Sequence, residues 1–402
     1  KYALRCIIQE NTAFVPKNGG LSTMELFNHA KKLGFGLMRL PLTDPNDAGS
    51  IDIEQTKQMV DTFLERGFTY FDTAWMYCAF KSEDAVKTCL TSRHPRESFT
   101  LADKLHAGFI HTLEDRDKIF NTQLEKTGAG YFDYYLLHDM GAEHYEIYKK
   151  LDCFTWLQQK KAEGLVKHIG FSFHDHADLL DRILTEHPEV EFVQLQLNYL
   201  DWDSEGVQSR KCYEVAEKHG KPVIVMEPVK GGTLAKVPQA VEEMFKAHTP
   251  GASVPSWAIR FAASKPNVKM VLSGMSDMQQ LLDNTGYMQD FRPLDAEEEA
   301  CVQRAVSIIN AGIAVPCTGC SYCTEGCPMH IAIPRYFSLY NADLQELPGK
   351  DWTPQREYYD NLTKEFGKAS ACIACGQCEG VCPQHLPIIE DLKKVAQHFE
   401  NA

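Results

Sequence analysis

The sequence predicts an α/β protein: a (β/α)8 TIM barrel followed by a second, mostly α-helical module. Three observations carry that reading. Short apolar runs alternate with longer amphipathic stretches from about residue 34 to 290, as repeated βα units do. After Arg292 the strand-like runs stop and the chain reads as helix. Two cysteine runs of identical spacing then punctuate the remainder. The expected divisions are an N-terminal segment over 1–33, the barrel over 34–295 and the cysteine-bearing module over 296–402.

The apolar runs come in order as GFGLMRLP (34–41), FTYFDTA (68–74), SFTLADKL (98–105), FDYYLLHD (132–139), KHIGFSF (167–173), EFVQLQLNYL (191–200), PVIVMEP (222–228) and VKMVLSGM (268–275). Between them lie IEQTKQMVDTFLERG, EDRDKIFNTQLEKTG, ADLLDRILTEH and VQSRKCYEVAEKHG, with apolar residues at three- and four-residue steps and Gly or Pro near the ends. Eight strand candidates favour a closed barrel over its rival, an open doubly wound sheet. The glycines of GFGLMR do not support that rival, because Gly-x-Gly without a third glycine and a later acidic residue is a weak dinucleotide signal. Beyond Arg292, DAEEEACVQRAVSIINA, RYFSLYNADL and PQREYYDNLTKEF read as helices. The first 33 residues carry no interpretable pattern.

Composition bounds the function. With 402 residues and 44% hydrophobic content, the chain has room for one large domain, a smaller one and a sizeable core. A formal charge of −14 argues against a surface built for nucleic-acid phosphates or anionic lipid. No run approaches the roughly 18 apolar residues of a membrane span, and KYALRCIIQENTAF lacks the apolar core of a signal peptide. The expectation is a cytoplasmic protein with neither nucleic-acid nor membrane partners.

Eight of the fourteen cysteines fall in the two runs, Cys317-x2-Cys320-x2-Cys323-x3-Cys327-Pro328 and Cys372-x2-Cys375-x2-Cys378-x3-Cys382-Pro383. This is the spacing of a cubane iron–sulfur ligand set, in which the fourth cysteine of each run serves the other cluster. The implied sets are Cys317, Cys320, Cys323 and Cys382 for one 4Fe-4S cluster, and Cys372, Cys375, Cys378 and Cys327 for the other. A pair of zinc sites is the alternative, although zinc takes four ligands rather than two interlocked fours. Such clusters transfer electrons or brace the module. Cys6, Cys78, Cys89, Cys153, Cys212 and Cys301 are scattered and read as small core residues.

In a (β/α)8 barrel the C-terminal ends of the strands face the active site. Those ends carry Asp72, Lys104 and His138, with Tyr77 in the loop after Asp72. Hydride reduction of a carbonyl creates an alkoxide that needs a proton. Tyr77 is assigned as the acid, Lys104 as the ammonium that lowers the phenol pKa, Asp72 as the partner of Lys104, and His138 as the group that orients the carbonyl. Each has a bland alternative: helix cap, packing aromatic, solvated charge, core histidine. Four at the ends of consecutive units favour a site.

FDTAWMY, LADKL and LLHD match, in order, the Asp, Tyr, Lys and His tetrad of the aldo-keto reductases, and KHIGFSFH matches their serine-bearing strand. The chain resembles that family over about 34–290, and its cysteine runs resemble the ferredoxin-like domain that one subgroup carries at its C-terminus. The resemblance implies that Ser172 and Gln194 touch a nicotinamide amide. It further implies that Pro228, Gly231, Gly232 and Leu234 lie along the diphosphate, and that Ser273, Gly274, Gln280 and Asn284 face the adenosine. Phe173 stands where many members have asparagine. Segment 273–284 has no Arg or Lys for a ribose 2′-phosphate and holds Asp277.

NADPH and NADH therefore both stay open. Joining hydride to one-electron clusters also leaves flavin as an alternative cofactor. The expected activity is nicotinamide-dependent reduction of a small carbonyl substrate, with the clusters linked to ferredoxin or another redox protein. A flavin-dependent or one-electron reductase, and a non-catalytic electron-transfer or structural barrel, are the alternatives.

Overall fold

The computed structural model describes Phe27 and residues 31–311, 313–317, 319–346, 352–382 and 384–400. Cys6, Pro383 and nearly all of the expected 1–33 segment lie outside the described residues.

Eight parallel strands close into a barrel in sequence order: β1 (Leu33–Gly36), β2 (Tyr70–Asp72), β3 (Thr100–His106), β4 (Phe132–Met140), β5 (Val166–Phe173), β6 (Phe192–Gln196), β7 (Val223–Met226) and β8 (Val268–Gly274). Pairing of Phe35 with Ser273 closes the ring. An open doubly wound sheet would leave two unpaired edges, so that rival is excluded. Each apolar run contains one strand, but several strands stop early. Leu37–Arg39 turns out of β1 as a 3-10 helix, and the chain leaves the barrel after Gln196.

Both faces of these strands are buried, which is why the runs are nearly continuous in apolar residues. Along β4, Tyr134 and Leu136 join Tyr70, Ala102, Phe192, Ile224 and Met270 inside the barrel. The alternate residues Tyr135 and Leu137 face the helices instead. Gly170 of β5 is required by packing, since a Cβ there would lie 2.6 Å from the Phe192 ring and 2.7 Å from its carbonyl. Outside, the helix Leu113–Thr127 starts at a Thr112/Asp115 capping box and ends at Gly128, whose φ of 62° suits glycine. Phe245 stacks on Trp257 with centroids 4.3 Å apart. Each fully buried side chain of this size contributes roughly 1.5–3 kcal/mol.

The helices Ile333–Leu344, Pro354–Glu365 and Ile388–Phe399 form the second module around its own core of Tyr336, Phe337, Tyr359, Leu392 and Val395. The segment Ala296–Asn310, expected from sequence within that module, packs on the barrel instead. Cys301, Val302 and Ala305 enter the barrel core, and Glu298 forms a bidentate pair with Arg260.

The module sits on the C-terminal face of the barrel. Asn361 donates to the His174 carbonyl at 3.0 Å, Lys364 pairs with Glu143 at 2.7 Å, and Ser204 meets Ser338 at 2.9 Å. Among the described residues no helix is long and apolar enough to cross a membrane.

Candidate active site

Asp72 ends β2, Lys104 lies in β3 and His138 in β4, so the barrel alone brings three of the four expected residues to one mouth. The loop after β2 supplies the fourth. Behind Tyr77, the residues Cys78, Ala79 and Phe80 all take left-handed backbone angles (φ 51°, 51° and 66°). Such angles cost roughly 1–2 kcal/mol per residue and persist only where the surroundings impose them. Here the Cys78 thiol and the Ser82 hydroxyl donate to the Leu37 carbonyl, at 3.5 and 3.1 Å, and tie the loop to the end of β1.

Lys104 is fully buried and donates to Asp72 Oδ1 at 2.5 Å and to the Thr73 carbonyl at 2.7 Å. Its ammonium stands 4.9 Å from the Tyr77 ring centroid. Burial raises the Asp72 carboxyl pKa above its usual range, against the pull of Lys104. The Tyr77 phenol departs from the sequence expectation. Burial pushes it up to about 12, and the opposing charge of Lys104 does not reverse that. The Tyr77 hydroxyl thus keeps its proton at neutral pH rather than being poised near neutrality.

The His138 ring lies 5.8 Å from that of Tyr77 at 80°. Burial first, then Lys104, holds it well below the usual histidine range, so it is neutral.

A cavity of about 1070 Å³ opens over these residues, lined among others by Asp72, Tyr77, His138, Gln194 and Gly274. Gln194 Oε1 is buried with no hydrogen-bond partner among the described residues. Other residues expected at a cofactor are engaged internally. The Ser172 hydroxyl accepts from Asp139 N at 2.8 Å, Asn284 donates to Ser273 Oγ at 2.9 Å, and Gln280 is bound to Asp277 and Ser276. Pro228 precedes a tight segment in which Gly231 and Gly232 have φ of 61° and 102°, and Leu234 is buried. Between them Lys230 is buried against Asp201 at 2.9 Å.

Sequence reasoning missed several residues that line the same cavity: Arg39, His106, Asp139, His174 and, from the second module, Trp352 and Glu357. His106 and Asp139 lie at the ends of β3 and β4, where the strand-end rule could have found them. Arg39 stands 3.6 Å from Glu227.

His106, Asp139 and His144 approach one another as metal ligands would. The hydrogen bonds argue otherwise. His106 Nδ1 accepts from Gly108 N at 2.9 Å, so its Nε2 carries the proton and points at Asp139 Oδ2, 3.6 Å away. A ligating nitrogen must be free of its proton, with the other ring nitrogen donating. His106 therefore faces Asp139 as a donor, and His144 Nδ1 donates to the Asp139 carbonyl at 2.6 Å. The Asp139 carboxyl is held far below its usual range despite burial.

In the second module, Cys317, Cys320, Cys323 and Cys382 line one small cavity, and Cys327, Cys372, Cys375 and Cys378 line another. Each group draws on both runs. Ile331 N donates to Cys327 Sγ at 3.5 Å.

Residues 32–306 match the aldo/keto reductase family, and residues 316–386 match the 4Fe-4S dicluster domain. No curated protein matches the chain. Among solved structures, an aldo-keto reductase from Bacillus halodurans in its holo form is 21% identical, with a TM-score of 0.55 over 68% of this chain and 91% of that one. An aldo-keto reductase from Klebsiella pneumoniae in complex with NADPH is 19% identical, with a TM-score of 0.52 over 68% and 90%. One from Brucella melitensis is 22% identical, with a TM-score of 0.53 over 69% and 94%. At these identities the likeness concerns the fold.

Proposed function

This chain belongs to the aldo/keto reductase family, and from that premise we propose that it transfers hydride between NADPH or NADH and the carbonyl of a small molecule, with two 4Fe-4S clusters in its second module. The convergence of Tyr77, Asp72 and His138 on one cavity, with Lys104 buried against Asp72 and Tyr77, carries the reading.

The residues present suit a nicotinamide. Gln194 Oε1 is a buried acceptor with no partner at the cavity wall, a match for a carboxamide N–H. Gly231 and Gly232 put no side chain in the way of a diphosphate, and Arg39 offers the cavity a guanidinium for phosphate oxygens. When bound, the nicotinamide supplies the hydride.

The chain's own residues do the rest. The neutral His138 ring donates a hydrogen bond to the carbonyl oxygen and orients it. The Tyr77 hydroxyl gives its proton to that oxygen as it becomes an alkoxide, which is more basic than the phenol. Lys104 stabilises the phenolate left behind, and Asp72 holds Lys104 in place.

The two groups of cysteines suit cubane clusters, which supply one-electron transfer. Cys320 and Cys375 are exposed, with Tyr322, Ile373 and Val381 exposed close by in sequence. That arrangement suits electron exchange with ferredoxin or another redox protein. A second reading, clusters as braces, is favoured by the way each group draws on both runs. Thiolate-held clusters suit a reducing compartment such as the cytoplasm.

Anaerobic purification with iron, sulfide, flavin and nicotinamide quantitation, and spectra before and after NADH and NADPH, tests the proposal. About eight irons per chain without flavin, and aldehyde-dependent NAD(P)H oxidation without cluster bleaching, are expected. Stoichiometric flavin, or clusters that bleach on NAD(P)H addition, would overturn simple carbonyl reduction in favour of a flavin-linked path.

A further inference from the structure

Four carboxyl groups line the cavity over the tetrad: Asp72, Asp139, Glu227 and Glu357. Three of them are compensated. Asp72 holds Lys104 at 2.5 Å, and Glu227 faces Arg39 at 3.6 Å. Asp139 is surrounded by imidazoles, with His106 and His144 at 3.6 Å and His174 at 4.0 Å. Glu357 alone has no hydrogen bond or ion pair among the described residues. It reaches the cavity from the first turn of Pro354–Glu365, a helix of the cluster module, and so forms part of a roof the barrel does not make itself.

The surroundings of Glu357 sharpen the imbalance. Burial raises its carboxyl to about 8, and the nearby charges of Asp139, Asp360, Glu143 and Asp175 push the same way. Lys364, the lysine of its helix, is committed to Glu143 at 2.7 Å. Arg39 is the only Lys or Arg among the described residues lining the cavity, and Glu227 accompanies it. Trp352, on the same module and nearly half exposed, lines this cavity as well.

A carboxyl without an ion pair among the described residues, the Asp139 carboxylate lining the same cavity and an aromatic ring make an environment for a positive charge: Coulomb attraction and the negative face of the ring act together. A substrate carboxylate or phosphate would meet like charge there.

We propose that Glu357 and Asp139, with Trp352, form a subsite for a cationic group of the substrate, so that the carbonyl compound reduced at Tyr77 carries an ammonium group remote from its carbonyl. The inference rests on the carbonyl-reduction reading for its chemistry and on the unmatched carboxyl for its specificity. The cluster module, in this account, is a specificity element of the barrel enzyme. Binding a cation also displaces the proton that Glu357 otherwise retains.

The holoenzyme tests this with three aldehydes: 4-(trimethylammonio)butanal, its neutral isostere 5,5-dimethylhexanal, and 4-oxobutanoate. The cation should be preferred over the isostere in kcat/KM by about tenfold or more. Glu357→Gln should erase most of that ratio, and Glu357→Lys should shift preference toward 4-oxobutanoate. Isothermal titration with tetramethylammonium chloride, in two buffers of different ionisation enthalpy, should show binding with proton release that Glu357→Gln removes.

A ratio near one in the wild type, or a ratio unchanged in Glu357→Gln, would overturn the subsite. If no aldehyde is turned over, the carbonyl reading fails and titration decides the subsite separately. Glu357-dependent binding of tetramethylammonium sustains it, and absence of binding refutes it.

Discussion

Lys104 Nζ lies 2.5 Å from Asp72 Oδ1, and both groups are buried. A buried pair of this kind contributes little over a well-packed apolar pair, but removing one partner leaves an uncompensated charge. Lys104→Met should therefore destabilise the protein by about 3–5 kcal/mol in urea denaturation as well as lower turnover. Adding Asp72→Asn should recover part of the stability and none of the activity. A double variant as unstable as the sum of the singles would show that the two groups are not coupled.

Tyr77→Phe removes a hydroxyl needed only as the alkoxide forms. We expect kcat to fall by about 10²–10⁴-fold while the dissociation constant for NAD(P)H, read by fluorescence titration, stays within about twofold. Because burial holds the phenol up to about 12, deprotonation of Tyr77 should produce no basic fall in the reduction rate between pH 7 and about 10.

His138 and His174 are both buried, and burial lowers both pKa values. The unfolded chain binds protons at these rings near the ordinary histidine value of about 6.5, whereas the folded chain binds them only at lower pH. Their contribution to stability is thus fully present above about pH 6.5 and is lost as the pH falls below it. Urea midpoints at pH 8, 6.5 and 5.5 should drop toward acid more steeply in the wild type than in His174→Gln. Parallel slopes would contradict a neutral buried ring.

Cys327 belongs to the first run but lines the cavity of the second. Cys327→Ala should damage the cluster held by Cys372, Cys375 and Cys378 and spare the one nearer in sequence. Iron analysis with electron paramagnetic resonance of the reduced protein distinguishes the two. Loss confined to the cluster of Cys317, Cys320 and Cys323 would reverse the assignment.

The barrel was legible because each strand is buried on both faces, so its run of apolar residues stands out from the amphipathic helices around it. The placement of Asp72, Lys104 and His138 was legible for a related reason: they sit where strands end, and strand ends can be counted. The charge state of Tyr77 was not. Sequence displays the ammonium of Lys104 but not the burial that outweighs it.

Glu357 was equally hidden, since nothing in PQREYYDNL tells that its helix lies over a barrel mouth far away in sequence. Asp139 reaches the cavity through a left-handed backbone (φ 57°) where the β4–β5 register shifts, a local event that no periodicity announces. The helix Ala296–Asn310 was assigned to the second module because it follows the last strand. Its apolar face, with Cys301, Val302 and Ala305, fits the barrel.

The proposed reaction passes hydride directly at the cavity of Tyr77, with the clusters outside that step. Deuterium transfer tests it most directly: the holoenzyme is given NADPH or NADH deuterated at C4, in each stereochemical form, together with an aldehyde in ordinary water. One deuterium on the carbinol carbon of the product, from one of the two forms, is expected. Product without deuterium from either form, formed while the clusters bleach, would contradict it and place the reducing electrons on the path through the cysteine module.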